Sequence, residues 1–578
     1  MTAFEVWAPA ASRVDLVLDG ARIPMVTDGP SGADADGRWS VEVAGDHRGL
    51  RYGFSLDGAD PLPDPRARML PDGPLGLGQV VALEHEWRDD GWQPPPWHGA
   101  VVVEIHVGTF TPEGTFRAAA DRLRPLVELG VTHVELMPIT PFSGHHGWGY
   151  DGVSWWGVHA PYGTPDDLSA LVDAAHGHGL GVLLDVVHNH FGPEGVALDR
   201  FGPYRTDRHS TPWGDAVNLD GPGSDAVRRE ICESACTWLR DHHIDGLRLD
   251  ATHALRDDRA VHLLDELRAA VRHLGTELGR PFVLIAENDR SDPRIVRTPA
   301  AGGHGLDAVW ADDLHHAIHA VVTGERLGYY EDFGAAEQVA DVVRHGVAFR
   351  DTWSPHRGRR HGADHDEVGD DALVVALQNH DQVGNRAAGE RLASSVGFEG
   401  QMAAAALVLT SPSAVLLLQG EDWAASTPFP YFADHTDPEL VAAVRAGRLE
   451  EFAAFGWGPD VVADPEDEAT FRSAVLRWEE LDLEPHATVR RWYRDLLAVR
   501  RRHLRPSRHA AVAAVEGDAV VVVERGDLLT VANLGSTNHR FEPTGWDAAS
   551  ALTTPSARRG TAGAWHLEPR SAVVLERR

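Results

Sequence analysis

A chain of 578 residues has room for more than one domain and for a large core. Its 43% hydrophobic content is that of an ordinary globular protein, and no apolar stretch reads as long enough to span a bilayer. The formal charge of −34, from 53 basic and 87 acidic residues, repels phosphate backbones; it excludes nucleic acid as a partner and leaves a neutral substrate unaffected.

The first residues, Met1-Thr2-Ala3-Phe4-Glu5-Val6, have neither the basic n-region nor the apolar h-region of a secretory signal. A cytoplasmic protein with no membrane partner is therefore expected. Phe4–Trp7, Arg13–Leu18, Trp39–Val43 and Tyr52–Leu56 read as short strands separated by turn residues. That spacing predicts a small β-sandwich over residues 1–92. Pro94-Pro95-Pro96 then reads as a stiff linker.

From residue 99 the pattern changes to alternating strand and helix. Segments 101–105, 133–137, 181–187, 245–249, 282–286, 307–310, 373–379 and 414–419 read as strands. Eight strands alternating with helices predict an α/β fold, a (β/α)₈ TIM barrel over residues 99–505. Thr164-Pro165-Asp166-Asp167 supplies an N-cap, a proline at the first helical position and an acid at the capping-box position. Val227, Ile231, Ala235 and Trp238 mark the apolar face of another helix. The two cysteines, Cys232 and Cys236, lie four apart on that helix, where a disulfide is poorly placed; they read as small packing residues. The 33 histidines are scattered and lack metal spacing such as HExxH.

Two long polar segments interrupt the barrel. Residues 190–223 predict an excursion over its mouth, because loops of that size in a compact domain are usually functional. Residues 351–371 form a second loop, basic at 357–360 and acidic at 364–371, which reads equally as a solvated lid. Past residue 509 short strands return, predicting a second β-domain to residue 578.

Three of the barrel strands end in acids: Asp245-Gly246-Leu247-Arg248-Leu249-Asp250, Phe282–Glu287, and Leu373–Asp381. Positions two apart on a strand face the same way, so Arg248 is expected beside Asp250, lowering its pKa and holding it ionised. An ionised carboxylate at the C-terminal end of a barrel strand is a candidate nucleophile. One such acid could be a surface ion pair; three in order point to one site.

These residues resemble the α-amylase family of glycoside hydrolases. Asp185-Val186-Val187-His188-Asn189-His190, Gly246–Ala251, Ala286-Glu287 and Asn379-His380-Asp381 match the family's motifs in order. Trp148-Gly149-Tyr150 and Pro161-Tyr162-Gly163 match a further stretch. The resemblance implies that Asp250 is the nucleophile, Glu287 the acid/base and Asp381 the transition-state stabiliser. Glu287 should have its pKa raised by burial and nearby acids. Tyr150 would stack on the sugar, while His190, Arg248 and His380 position hydroxyls and nucleophile. The N-terminal sandwich would be carbohydrate-binding-like.

Within the family the chain resembles a trehalose-releasing subgroup, on the residues Glu287–Pro293 and Trp310–His319. Members cleave the α-1,4 bond next to the terminal trehalose of maltooligosyltrehalose, so that substrate or a related α-glucan is implied. Asp312, Asp313 and His316 would read the trehalose end, although Asp at a helix start is also an ordinary N-cap. His253 lies where members place an acceptor-side contact. Many amylases carry calcium beside the strand-three motif, and Asn189 matches one ligand position. The acid-rich ligand set is missing from the long loop, so no obligatory metal and no other cofactor is expected. A glycogen branching enzyme, a general α-amylase and a non-catalytic carbohydrate-binding relative remain as alternatives.

Overall fold

The computed structural model describes all residues except 28–36, 454, 459, 504–511, 547, 561–562 and 578. The expected boundary at 509 lies outside the described residues.

Two antiparallel sheets form the N-terminal region. One orders Thr2–Trp7, Arg38–Val43 and Val26–Thr27; the other orders Ala21–Pro24, Val14–Leu18, Arg51–Leu56 and Gly78–Gln79. Phe4, Val6, Leu16 and Phe54 are buried between them, the inward set of alternating strands. This unit is fastened to the barrel by an ion pair and a ring contact: Arg66 donates to Glu230 at 2.7 Å, and Trp7 meets Tyr204 edge-on at 5.3 Å.

The eight expected barrel strands are all present. They are β1 (Val101–Ile105), β2 (His133–Leu136), β3 (Gly181–Val186), β4 (Gly246–Leu249), β5 (Val283–Ala286), β6 (Ala308–Trp310), β7 (Leu373–Ala376) and β8 (Ala414–Leu418). They close in sequence order, with β8 pairing β1, and every pair is parallel. Strands buried on both faces need near-continuous apolar runs, which is how these segments read. Charged residues inside them, such as Glu104 in β1 and Glu135 in β2, are therefore exceptions that require partners.

Helix Pro165–Gly177 begins with the expected capping box between Thr164 and Asp167. Helix Ser224–Asp241 buries Val227, Ile231, Ala235 and Trp238 before β4; Cys236 is buried, Cys232 half-buried, and both are free. Helix Leu392–Leu409 is apolar and long enough to cross a bilayer by length and composition, which corrects the reading that no stretch is. It bends at Gly397, where φ is +78°, and most of it is buried in the protein's own core.

The residues flanking Pro94–Pro96 are anchored: Trp92 stacks on His176 at 4.2 Å and Trp97 donates to the Asp371 carbonyl. Two polar segments carry strands of their own. The excursion at 190–223 contains a hairpin, Arg205–Thr211 with Gly214–Val217. The loop at 351–371 likewise holds a hairpin, Arg350–Ser354 with Arg359–Gly362. At the C-terminal end a five-stranded sheet and a three-stranded sheet lie within residues 512–577.

Candidate active site

The β4 register sets the centre of the site. Arg248 lies opposite Asp185 on β3 and Ile285 on β5, deep in the barrel and fully buried. Its Nη1 donates to Asp185 Oδ2 at 2.7 Å and to Asp250 Oδ1 at 2.8 Å. Its Nη2 lies 3.1 Å from Glu287 Oε2, and the guanidinium sits 4.2 Å over the Trp310 ring. One cation thus serves acids from three strands.

That sharing overturns one expectation. Arg248 is beside Asp250, but Asp250 is not held low: burial pushes its pKa up to about 6, and Asp185 and Asp381 add to the rise against Arg248. A guanidinium divided among three carboxylates returns less than desolvation takes. Glu287 is pushed up to about 7, first by burial, with Arg248 opposing and Asp250 and Asp381 reinforcing. The Asp250 charge raises Glu287, so the protonation of the two is linked.

The turn after Asp250 ties the two acids together. Ala251 adopts a left-handed conformation, and its N–H donates to Glu287 Oε2 at 2.7 Å. Thr252 donates its N–H and its hydroxyl to the Glu287 carbonyl, at 3.0 and 2.7 Å. Asn288 Nδ2 in turn donates to Thr252 Oγ1.

Asp381 is not on a strand end. β7 stops at Ala376, and Asn379 caps a short helix, His380–Gly384, by accepting the Gln382 N–H at 3.0 Å. Asp381 stands in its first turn, 43% exposed. Its charge reaches both Asp250 and Glu287. His380 is buried and hydrogen-bonds Glu104 through Nδ1 at 2.5 Å. Burial opposes its charge, but the Asp381 and Glu104 carboxylates outweigh burial and raise its pKa to about 10. Tyr150 stacks on the His380 ring at 5.1 Å and donates its hydroxyl to Asp185.

His190 is buried and lowered to about 4 by that burial, so it is neutral. Its ring lies flat against Trp213, at 4.5 Å and 8°; Trp213, at the hairpin tip, is 47% exposed. On the β6 side Asp312 occupies the N-cap position without capping; its Oδ1 accepts from Gln382 Nε2 at 3.1 Å. Burial pushes Asp312 up to about 7, with Glu287 and Asp381 adding to the rise. Asp313 accepts the Ala348 N–H at 2.7 Å and so anchors a neighbouring loop. His316 packs against Tyr329 and Phe333, and all three line a small cavity with Asn288, Trp310 and Asp312. His253 lines a larger polar cleft with Thr252, Asn288 and Arg290.

The sequence singled out neither Trp213, Tyr329 nor Glu104. Only Glu104 carried a signal, a charge within the apolar run Val101-Val102-Val103-Glu104-Ile105.

Calcium takes six to eight oxygens. Asn189 is buried with both side-chain polar atoms unpartnered. Among the described residues only His209, Asp220 and Asp258 converge, and Arg208 already pairs Asp220 at 3.3 Å.

A closed parallel barrel with two buried carboxyls, Asp250 and Glu287, sharing Arg248 at adjacent strand ends fits an α-amylase-type glycoside hydrolase. In accord with this, residues 85–208 match the alpha amylase catalytic domain. A malto-oligosyltrehalose trehalohydrolase of Arthrobacter ramosus is 47% identical over 99% of both chains. One from Rhizobium sp. strain M-11 is 44% identical over 99% of this chain and 97% of its own. The chain belongs to the malto-oligosyltrehalose trehalohydrolase family. Among solved structures, a putative alpha amylase from Salmonella typhimurium is 36% identical, with a TM-score of 0.90 over 100% of this chain and 97% of that one.

Proposed function

We propose that this protein hydrolyses the α-1,4-glucosidic bond next to the terminal trehalose of malto-oligosyltrehalose, releasing trehalose with retention at the donor carbon. The observation that carries the chemistry is the convergence of Asp250 and Glu287 on Arg248. Asp250 attacks the anomeric carbon and forms a glycosyl ester while Glu287 protonates the departing trehalose oxygen. Glu287 then takes a proton from water as the ester is hydrolysed. A pKa of about 7 lets it serve both steps.

The remaining residues hold the sugar. Asp381 binds donor-ring hydroxyls and favours the distorted ring; His380 and His190 contact the same ring, and Tyr150 forms its stacking wall. Arg248 fixes Asp250. Asp312, His316 and His253 line the acceptor side, where the trehalose leaves; Asp313 supports that side through the 348 loop. The end-to-end likeness to trehalohydrolases supports the trehalose end as the specificity element. Residues 1–92, 99–505 and 509–578 are assigned as carbohydrate-binding-like, catalytic and C-terminal domains on the same basis.

The test is incubation with malto-oligosyltrehalose and, separately, a malto-oligosaccharide of equal length, products being resolved by chromatography. Trehalose as the main small product, with the linear sugar a much poorer substrate, is the expected result. Equal rates on both would mean a general amylase; α-1,6 branches formed on amylose with little hydrolysis would mean a branching enzyme.

A further inference from the structure

Glu104 and Glu135 are buried acids that none of the roles above uses. They lie side by side in register on β1 and β2, facing the floor of the site. Glu104 is fully enclosed, and both its oxygens are taken by one residue. Oε1 meets His380 Nδ1 at 2.5 Å and Oε2 accepts the His380 N–H at 2.9 Å. The opposite ring nitrogen, Nε2, lies 3.5 Å from Asp381 Oδ1. The ring plane is fixed by Tyr150, stacked at 5.1 Å, and by Trp148, edge-on at 5.2 Å.

We infer that Glu104 is a positioning residue: by engaging both the Nδ1 and the backbone N–H of His380 it fixes that ring as an imidazolium with Nε2 directed at Asp381, beside the acids of the site. The inference rests on the glycosidase chemistry above but not on the trehalose specificity. A ring bound to a carboxylate at Nδ1 and facing another at Nε2 is favoured with a proton on each nitrogen. The imidazolium then becomes the second cation of a floor that otherwise has only Arg248.

The groups facing His380 make that cation necessary. Glu104 faces it from β1, Glu135 from β2, Asp185 from β3, Arg248 and Asp250 from β4, Asp381 from its own helix and His106 from the turn after β1. Glu135 is driven well above the usual carboxylate range, by burial first and then by Glu104 and Asp185, so it carries a proton. Asp185, Asp250 and Glu287 face Arg248, while Glu104 and Asp381 face His380. Removing the His380 charge would raise Asp250 further, since His380 is among the groups that lower it.

The experiment uses a chromogenic aryl malto-oligoside, whose good leaving group reports attack by Asp250 without requiring a trehalose end. Failure of the trehalose reading therefore leaves this test intact. Glu104→Gln keeps the shape and removes the charge. The acid limb of its kcat/KM profile should move up by about one pH unit, and kcat should fall by roughly 10- to 100-fold. The double variant Glu104→Gln/His380→Asn should be within about threefold of His380→Asn alone, because residues acting through one another do not add. This double variant buries no charge at the pair and serves if the single one folds poorly. An acid limb at its wild-type position in Glu104→Gln, or a further tenfold or greater loss in the double variant, would overturn the inference.

Discussion

Ala251 donates its backbone N–H to Glu287 Oε2 at 2.7 Å from a left-handed turn with φ of +38°. The residue after the proposed nucleophile thus orients the proposed acid, and β4 cannot shift against β5 without breaking that bond. An alanine in this region is strained, by roughly 1–2 kcal/mol, and such strain persists where surrounding structure over-determines it. Ala251→Gly keeps the N–H and releases the strain, so its stability should rise by about 1 kcal/mol, read as a higher melting temperature in calorimetry. Ala251→Val should melt lower than wild type. The reverse order would show that the turn is unstrained.

The pH dependence follows from the two acids. Asp250 must lose its proton, so kcat/KM should rise through about pH 6. Glu287 must keep its proton for the first step, so kcat/KM should fall above about pH 7. A narrow bell between these limbs is expected, with apparent values belonging to the coupled pair. Glu287→Gln should lose the basic limb and about 10²- to 10⁴-fold in rate on glucans. An unchanged basic limb in that variant would remove Glu287 from the acid role.

Asp250→Asn should reduce turnover to background while the melting temperature stays near wild type, since an amide cannot form the glycosyl ester. Activity approaching wild type in protein verified by intact mass would refute the nucleophile assignment.

Asp312 and Asp313 are sequence neighbours with different surroundings, and their substitutions should separate. Asp313→Ala strands the Ala348 N–H and should destabilise by about 1–3 kcal/mol, measured by denaturant unfolding. Asp312→Asn should leave stability nearly unchanged and lower kcat/KM on malto-oligosyltrehalose by about tenfold or more, the loss of one substrate hydrogen bond. Asp312→Asn with wild-type kinetics would place Asp312 outside the substrate path.

Much of the barrel is legible because its strands are short apolar runs bounded by turn residues, and all eight appear where those runs lie. Asp250 and Glu287 directly follow two of them. Asp381 is harder to place: Leu373–Leu377 reads as one apolar run, and only the Asn379 cap shows that a helix has begun. The two hairpins at 205–217 and 350–362 read as loops in the sequence, since their strands are polar, mostly exposed and without an alternating core face. The pKa of Asp250 is not legible for a different reason. Sequence shows the arginine two residues away, but not the burial that outweighs it or the two other acids that share it. Glu104 and His380 are 276 positions apart, and no local pattern joins them.

The most direct measurement is hydrolysis of malto-oligosyltrehalose in H₂¹⁸O, followed by mass spectrometry of both products and by proton NMR of the first-formed anomer. Attack by Asp250 on the donor carbon leaves the bridging oxygen on trehalose. The label should therefore enter only the new reducing end of the malto-oligosaccharide, which should appear first as the α-anomer. Labelled trehalose, an initial β-anomer, or release of glucose in place of trehalose would contradict a retaining hydrolase that cuts beside the trehalose unit.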